Sequence, residues 1–337
     1  MELADLKARW ARDLNALWYD PSRRPHGVLR ALSALYGVLM RLRSELYRVG
    51  WMRRHRVTLP VIVVGNLTVG GAGKTPLTLA LIDALRQRGW RPGVISRGYG
   101  GSARGPLRVQ ADTPASVCGD EPKLIAERSA APLAVARRRH EAAQLLQASS
   151  DVDVLIADDG LQHLALARDI ELLVIDGQRR FGNQLLLPAG PLRESLTRLR
   201  EVDWRLCNGG DAQDGEVAMT LRLGEPRALL DPQRRMAFAR QRVHAVAGIG
   251  DPSRYFASLH RLGIEIIAHP FADHHVYRPD DLAFADDLPV WMTEKDAVKC
   301  TAFAQAHWYA VPVDAELPAH FVDQLDQRLR SLNHAPD

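Results

Sequence analysis

Along residues 28–49, apolar side chains recur at alternating steps of four and three: Val28, Leu32, Leu35, Leu39, Leu42, Leu46 and Val49. At 100° per residue they form one stripe of a helix, with Arg30, Ser33, Gly37, Arg41, Ser44 and Arg48 on the opposite side. A shorter helical pattern precedes it (Leu3, Leu6, Trp10, Leu14, Leu17) and is broken by Pro21 and Pro25. Beyond residue 56 the pattern changes. Short apolar runs at 61–64, 92–96, 133–136, 154–157 and 171–176 predict strands, and helical stripes such as Leu77, Leu81 and Leu85 separate them. This alternation predicts a doubly wound parallel sheet. Residues 216–240 alternate loosely and read as a small antiparallel connector. A second α/β unit begins near 241, with strands over 243–250, 264–268, 290–292 and 308–313 and a closing helix near 318–332. The expected divisions are therefore 1–56, 57–215, 216–240 and 241–337.

The strand at 61–64 runs into the stretch VIVVGNLTVGGAGKTP, residues 61–76. A buried strand, a glycine-rich turn and a helix N-terminus together form a phosphate cradle of backbone N–H groups. In that cradle Thr68, Val69, Gly70, Gly71, Ala72, Gly73, Lys74 and Thr75 are the expected nucleotide-binding residues. Lys74 would reach the β- and γ-phosphates, and the Thr75 hydroxyl would ligate Mg²⁺. The usual first glycine of this pattern is Thr68 here. Downstream, residues 154–157 run straight into Asp158-Asp159-Gly160, a pattern whose acid holds Mg²⁺ beside the P-loop hydroxyl. Glu194, near the end of FGNQLLLPAGPLRES, is a further expected ligand. Arg97 and Tyr99 follow the carboxyl end of a strand, where open parallel sheets bind ligands, and are placed for substrate or phosphate.

Composition narrows the class without naming it. The 337 residues are 46% hydrophobic and 25% charged, with a formal net charge of +4, too weak a basic bias to imply nucleic acid. Cys118, Cys207 and Cys300 are far apart and lack CxxC spacing, so neither a zinc site nor a disulfide framework follows, and a reducing compartment is expected. With Asp5, Asp13 and Asp20, the first twenty residues do not read as a secretory signal. Charge is concentrated locally. Arg41, Arg43, Arg48, Arg53, Arg54 and Arg56 face a single acid, Glu45, with Trp51 and Met52 among them. Only residues 31–40 of the helix are free of charge, short of the roughly 20 residues that a membrane span needs. Two readings remain for this helix: its stripe packs on the core, or it lies in an anionic membrane interface.

The second unit carries Phe271-Ala272-Asp273-His274-His275 immediately after a strand, and Thr293-Glu294-Lys295-Asp296-Ala297-Val298-Lys299 after another. Adjacent histidines with no third ligand at zinc spacing favour acid–base work over metal binding.

Taken in order, VGNLTVGGAGKTP, SRGYGG, GDEP, ADDGLQH, LLPAGPLRE, AVAGIGDPSRYF, FADHH and TEKDAVK resemble the tetraacyldisaccharide 4′-kinases of lipid A biosynthesis, over roughly residues 30–315. Thr68 matches that family's own pattern, whereas Ala72 and Ser195 stand where Thr and Pro are expected. The resemblance implies an ATP- and Mg²⁺-dependent kinase acting on the 4′-hydroxyl of an acylated glucosamine disaccharide 1-phosphate, giving lipid IV-A. It implies a P-loop NTPase-like domain, a smaller α/β domain and an amphipathic N-terminal segment on the anionic cytoplasmic face of the bacterial inner membrane. It further implies that an aspartate and a histidine act as a pair, assigned to Asp120 and His274. His275 is left as the alternative base or as a group facing the acceptor. Asn66, Gln162 and Arg193 join Arg97 and Tyr99 as expected substrate contacts. A P-loop GTPase or metallochaperone would share the cradle, but TEKDAVK lacks the Asn of a base-reading NKxD motif. A nucleotide-switched membrane adaptor would need no general base.

Overall fold

The computed structural model describes residues 13–148 and 151–333. Leu3, Leu6 and Trp10 of the first expected helix lie outside them, and residues 13–19 are helical. Among the described residues fourteen strands follow in chain order: β1 (Val61–Gly65), β2 (Pro92–Ser96), β3 (Leu107–Val109), β4 (Leu133–Val135), β5 (Val154–Ala157), β6 (Ile170–Asp176), β7 (Trp204–Asn208), β8 (Glu216–Leu223), β9 (Arg227–Ala228), β10 (Arg242–Ala247), β11 (Glu265–Pro270), β12 (Val290–Thr293), β13 (Trp308–Val311) and β14 (Val313–Glu316). They build a nine-stranded sheet, β14-β8-β7-β6-β1-β5-β2-β4-β3, and a five-stranded sheet, β11-β10-β12-β13-β9.

Parallel pairing dominates because the strands are joined through helical crossovers that cover both faces. β1, β2, β5 and β6 are buried at every residue. β1 lies between β5 (Val63↔Ala157) and β6 (Val64↔Leu172), although in sequence it is followed by β2. The chain therefore reverses direction across the sheet at β1 and β5. The crevice beyond their carboxyl ends is where such sheets bind ligands.

The expected boundaries at 216–240 and 241–337 are corrected. β8 is not a connector strand; it runs parallel to β7 at the margin of the large sheet. The chain also returns: β14 pairs antiparallel with β8, and the helix Ala319–Asn333 packs Phe321, Val322, Leu325 and Leu329 into the core of the large sheet. Four such side chains, at about 1.5–3 kcal/mol each when fully buried, are enough to hold that helix on the first domain. Trp90 Nε1 donates to Asp326 (2.7 Å), and Arg88 pairs with Asp323 (2.6 Å). The two linkers run side by side, joined by Gly224 N donating to the Pro312 carbonyl (2.9 Å).

The helix Gly27–Arg48 does not pack its apolar stripe on the core. It buries its small side instead, Ser33 and Gly37 together with Tyr47. Ser33 Oγ donates to the Leu186 carbonyl (2.8 Å), Tyr36 to that of Arg193 (2.9 Å) and Arg43 to that of Gln162 (3.0 Å). A Cβ at Gly37 would come within 2.8 Å of Leu186 Cδ1, so glycine permits this close approach. The apolar stripe faces outward: Val28, Leu32, Leu35, Leu39, Leu42 and Val49 are exposed, Leu35 at 56%, and Trp51 is 85% exposed.

Candidate active site

β1 delivers the chain into the phosphate cradle. Gly70 (φ 105°) and Gly73 (φ 98°) occupy the left-handed region, which glycine adopts without a Cβ penalty. Thr68 needs no such freedom. It forms a bridge with Leu192, and Val69 N donates to the Pro191 carbonyl (2.9 Å), so the turn is tied down where other P-loops begin with glycine. Gly73 caps the helix Lys74–Gln87, and Asn208 Nδ2 holds the Ala72 carbonyl (2.9 Å). Asn66 is buried and belongs to this scaffold rather than to an open substrate face. Its Nδ2 donates to the Thr68 carbonyl (2.8 Å), and its Oδ1 accepts from Lys74 Nζ (3.1 Å).

At the end of β5 the paired aspartates separate by environment. Asp159 turns through φ 47° and faces Lys74 Nζ (3.5 Å) and Arg193 (3.4 Å). Burial alone would raise its carboxyl, but Lys74, Arg193 and Arg139 outweigh that and hold it below the ordinary value. Asp158 is fully buried and accepts from Thr78 Oγ1 (3.1 Å), while its Oδ2 has no hydrogen-bond partner. Burial, then the neighbouring charges of Glu121 and Asp159, push it up to about 7 against the opposing Lys74. Buried Arg139 clamps the Asp158 and Asp159 carbonyls from behind (3.3 and 2.7 Å).

An orphaned buried carboxylate oxygen on Asp158, next in the chain to a second carboxylate, is a hard-oxygen donor that suits Mg²⁺, an ion that keeps several waters and takes phosphate oxygens. Among the described residues, no three His, Cys, Asp or Glu side chains are arranged to hold a metal by themselves. The Glu194 carboxylate lies 3.4 Å from Arg198. Gln162 bridges the Asn66 carbonyl (3.2 Å) and Arg193 (3.4 Å). Arg97 and Tyr99 are exposed beyond β2.

The second domain closes over this cradle. A Cβ built on Gly250 would lie 3.3 Å from Gly71 N and 3.6 Å from Asp273 Oδ2, so the loops after β10 and β11 meet at the P-loop. Asp176 at the end of β6 binds Arg179 and, across the domains, Arg254 (both 2.8 Å); Arg179 also reaches Asp251 (3.4 Å). Asp120, the first residue of the helix Asp120–Ser129, places Oδ2 3.1 Å from His274 Nδ1 in the loop after β11. His274 adopts φ 59°, and the Tyr99 ring meets its imidazole edge-on at 5.1 Å. His275 turns away. Its Nε2 is 3.1 Å from Asp281, and its ring packs between Phe271 and Tyr277.

Sequence reading passed over Lys295. Its Nζ lies 3.2 Å from Glu121, 3.2 Å from Asp273 and 3.5 Å from His274 Nε2. The available signal was TEKDAVK, a charged run directly after a buried strand in the same sheet that carries the histidine loop.

A parallel sheet with a P-loop at its switch point, paired acids on the next strand and a carboxylate–imidazole pair across the opening defines a P-loop phosphotransferase. The family model for tetraacyldisaccharide-1-P 4′-kinase (LpxK) matches residues 26–330. Proteins named tetraacyldisaccharide 4′-kinase are similar to this chain: one from Stenotrophomonas maltophilia is 50% identical over 94% of this chain and 96% of its own length. Another from Aeromonas salmonicida is 49% identical over 95% and 97%. The crystal structure of LpxK from Aquifex aeolicus in complex with ATP superposes with a TM-score of 0.75, at 26% identity, over 90% of this chain and 97% of that one. The chain belongs to the tetraacyldisaccharide-1-P 4′-kinase family.

Proposed function

We propose that this protein transfers the γ-phosphoryl group of ATP to the 4′-hydroxyl of a tetraacyldisaccharide 1-phosphate at a membrane surface. The observation that carries this is the Asp120–His274 pair, held across the domains from a loop that adjoins the P-loop glycines. Asp120 keeps the His274 proton on Nδ1, and Nε2 takes the proton of the acceptor hydroxyl as its oxygen attacks the γ-phosphorus. ADP leaves while the P-loop amides and Lys74 hold its phosphates. Thr75, Asp158 and Asp159 are the groups that would hold Mg²⁺, which when bound neutralises charge between the β- and γ-phosphates. Arg193, beside Asp159, adds a cation at the same edge. Arg97, Tyr99 and Gln162 are the remaining groups proposed to meet the acceptor, around the opening that Tyr99 and His274 share.

The outward stripe of the helix Gly27–Arg48 is the support for a peripheral position. No helix among the described residues is long and apolar enough to cross a membrane. The stripe instead suits the acyl boundary, with Arg41, Arg48, Arg53 and Arg54 near anionic headgroups, as on the cytoplasmic face of a bacterial inner membrane. The test is transfer of label from γ-labelled ATP to the purified acceptor lipid in detergent. Acceptor-independent ATP hydrolysis, with no labelled lipid, would reject the assignment.

A further inference from the structure

Lys295 has no place in the chemistry above, yet it occupies the other side of the imidazole. Its side chain is 16% exposed and is shared by three acceptors: Glu121 of the first domain, Asp273 of the histidine loop, and His274 Nε2. It does not reach them by accident of a mobile arm. The helix Glu294–Cys300 that carries it is pinned at both neighbouring positions. Glu294 takes a bidentate pair from Arg128 of the first domain (2.6 and 2.7 Å). Buried Asp296 accepts from Gly248 N (2.9 Å) and Thr293 Oγ1 (2.6 Å) and pairs with Lys299 (2.8 Å).

We infer that Lys295 is a positioning residue that fixes the tautomer of His274, with its proton on Nδ1 and its lone pair on Nε2. This rests on the reading of His274 as the group that takes the acceptor proton. The groups facing the imidazole are Asp120 and Tyr99 from the first domain, Asp273 from its own loop (3.9 Å from Nε2), Lys295 from the helix after β12, and Glu121 through Lys295. The Lys295 ammonium has three donors and no acceptor, so an N–H on Nε2 would point one donor at another, while a lone pair is welcomed there. Asp120, an acceptor only, requires the opposite at Nδ1. The two sides therefore select one tautomer, the one with a free base at Nε2. Burial opposes the charge on Lys295, but Glu121 and Asp273 outweigh it and keep the amine protonated. Its carboxylate contacts (3.2 Å) are shorter than its contact to Nε2 (3.5 Å), so Lys295 can yield Nε2 to an incoming hydroxyl without giving up its ion pairs.

The decisive experiment is the pH profile of kcat/KM for acceptor phosphorylation by the full-length K295M and K295R variants. In K295M the acidic limb should move up by about one pH unit, giving a roughly tenfold loss near neutrality that is recovered at high pH. K295R should keep the limb in place. A uniform loss at every pH, with the limb unmoved, overturns the inference and reduces Lys295 to a structural or phosphate contact. Wild-type enzyme that transfers no label to the acceptor would instead sink the functional reading itself. Should K295M fail to fold, ¹⁵N-histidine NMR of the wild type, assigned by difference against H274Q, reads the tautomer directly. A neutral Nδ1–H ring is expected, and an Nε2–H ring or an imidazolium at mildly alkaline pH overturns the inference.

Discussion

His274 Nδ1 lies 3.1 Å from Asp120 Oδ2 although 154 residues separate them in the chain. One stands at the start of a helix on the large sheet and the other in a loop of the small one, so the pair exists only while the two domains are closed on each other. Groups that work as a unit lose activity non-additively. The double variant Asp120→Ala/His274→Ala should be barely slower than the slower single variant in steady-state phosphorylation of the acceptor. Losses that multiply would show that the two side chains act separately.

Lys74 is tethered by Asn66 (3.1 Å) and Asp159 (3.5 Å) and faces the cradle rather than the core. Lys74→Ala should lower kcat by at least about two orders of magnitude, the scale of other lost charge-stabilising contacts, with little change in melting temperature. Near-normal turnover would remove the P-loop assignment.

Asp158 is pushed up to about 7 by burial and then by Glu121 and Asp159, from an ordinary value of 3.8. The folded state thus binds this proton more tightly than the unfolded chain. The corresponding stability is fully present below pH 3.8 and is lost as pH rises through about 7. Asp158→Asn carries no charge to lose. Without nucleotide or metal it should melt about 2–3 °C above the wild type at pH 8, a shift that roughly 2 kcal/mol produces in a chain of this size. The gap should close as pH is lowered toward 5.5 in a calorimetric series. A gap that does not vary with pH would contradict the burial of an ionisable Asp158. The same variant should raise the Mg²⁺ requirement for turnover.

The outward stripe makes the membrane reading testable without touching the site. Leu35→Glu with Leu39→Glu, both at exposed positions, should release the protein from anionic vesicles while ATP binding and the melting temperature persist. Retention on vesicles, or unfolding of the double variant, would count against the interfacial role.

Much of this protein was legible as local pattern. The strand, glycine turn and helix of the P-loop depend on neighbours within sixteen residues, and so do the strand at Val154–Ala157 and its terminal acids. Backbone propensity and hydrophobic period act over that range, so the cradle and Asp158 were readable from order alone. The amphipathic stripe was equally visible, but not its direction, because periodicity says which residues share a face and not what covers it. That was decided by Ser33 and Gly37, small enough to let the helix dock on Leu186 by its polar side.

Contacts between residues distant in sequence were not legible. The return of Val313–Glu316 and Ala319–Asn333 to the first domain depends on an unfilled edge at β8 and an uncovered apolar face, neither of which the C-terminal segment records. The site divided in the same way. The sequence determined that aspartates, histidines and lysines of the right kinds were present. Only tertiary structure set His274 against Asp120 and His275 against Asp281, Glu194 beside Arg198 and Asn66 within the loop, and brought Lys295 to the far side of the imidazole. The physical reason is range: propensity and period are settled within a few turns of chain, whereas an ion pair or a proton path is settled by a few ångströms between segments that the fold alone makes neighbours.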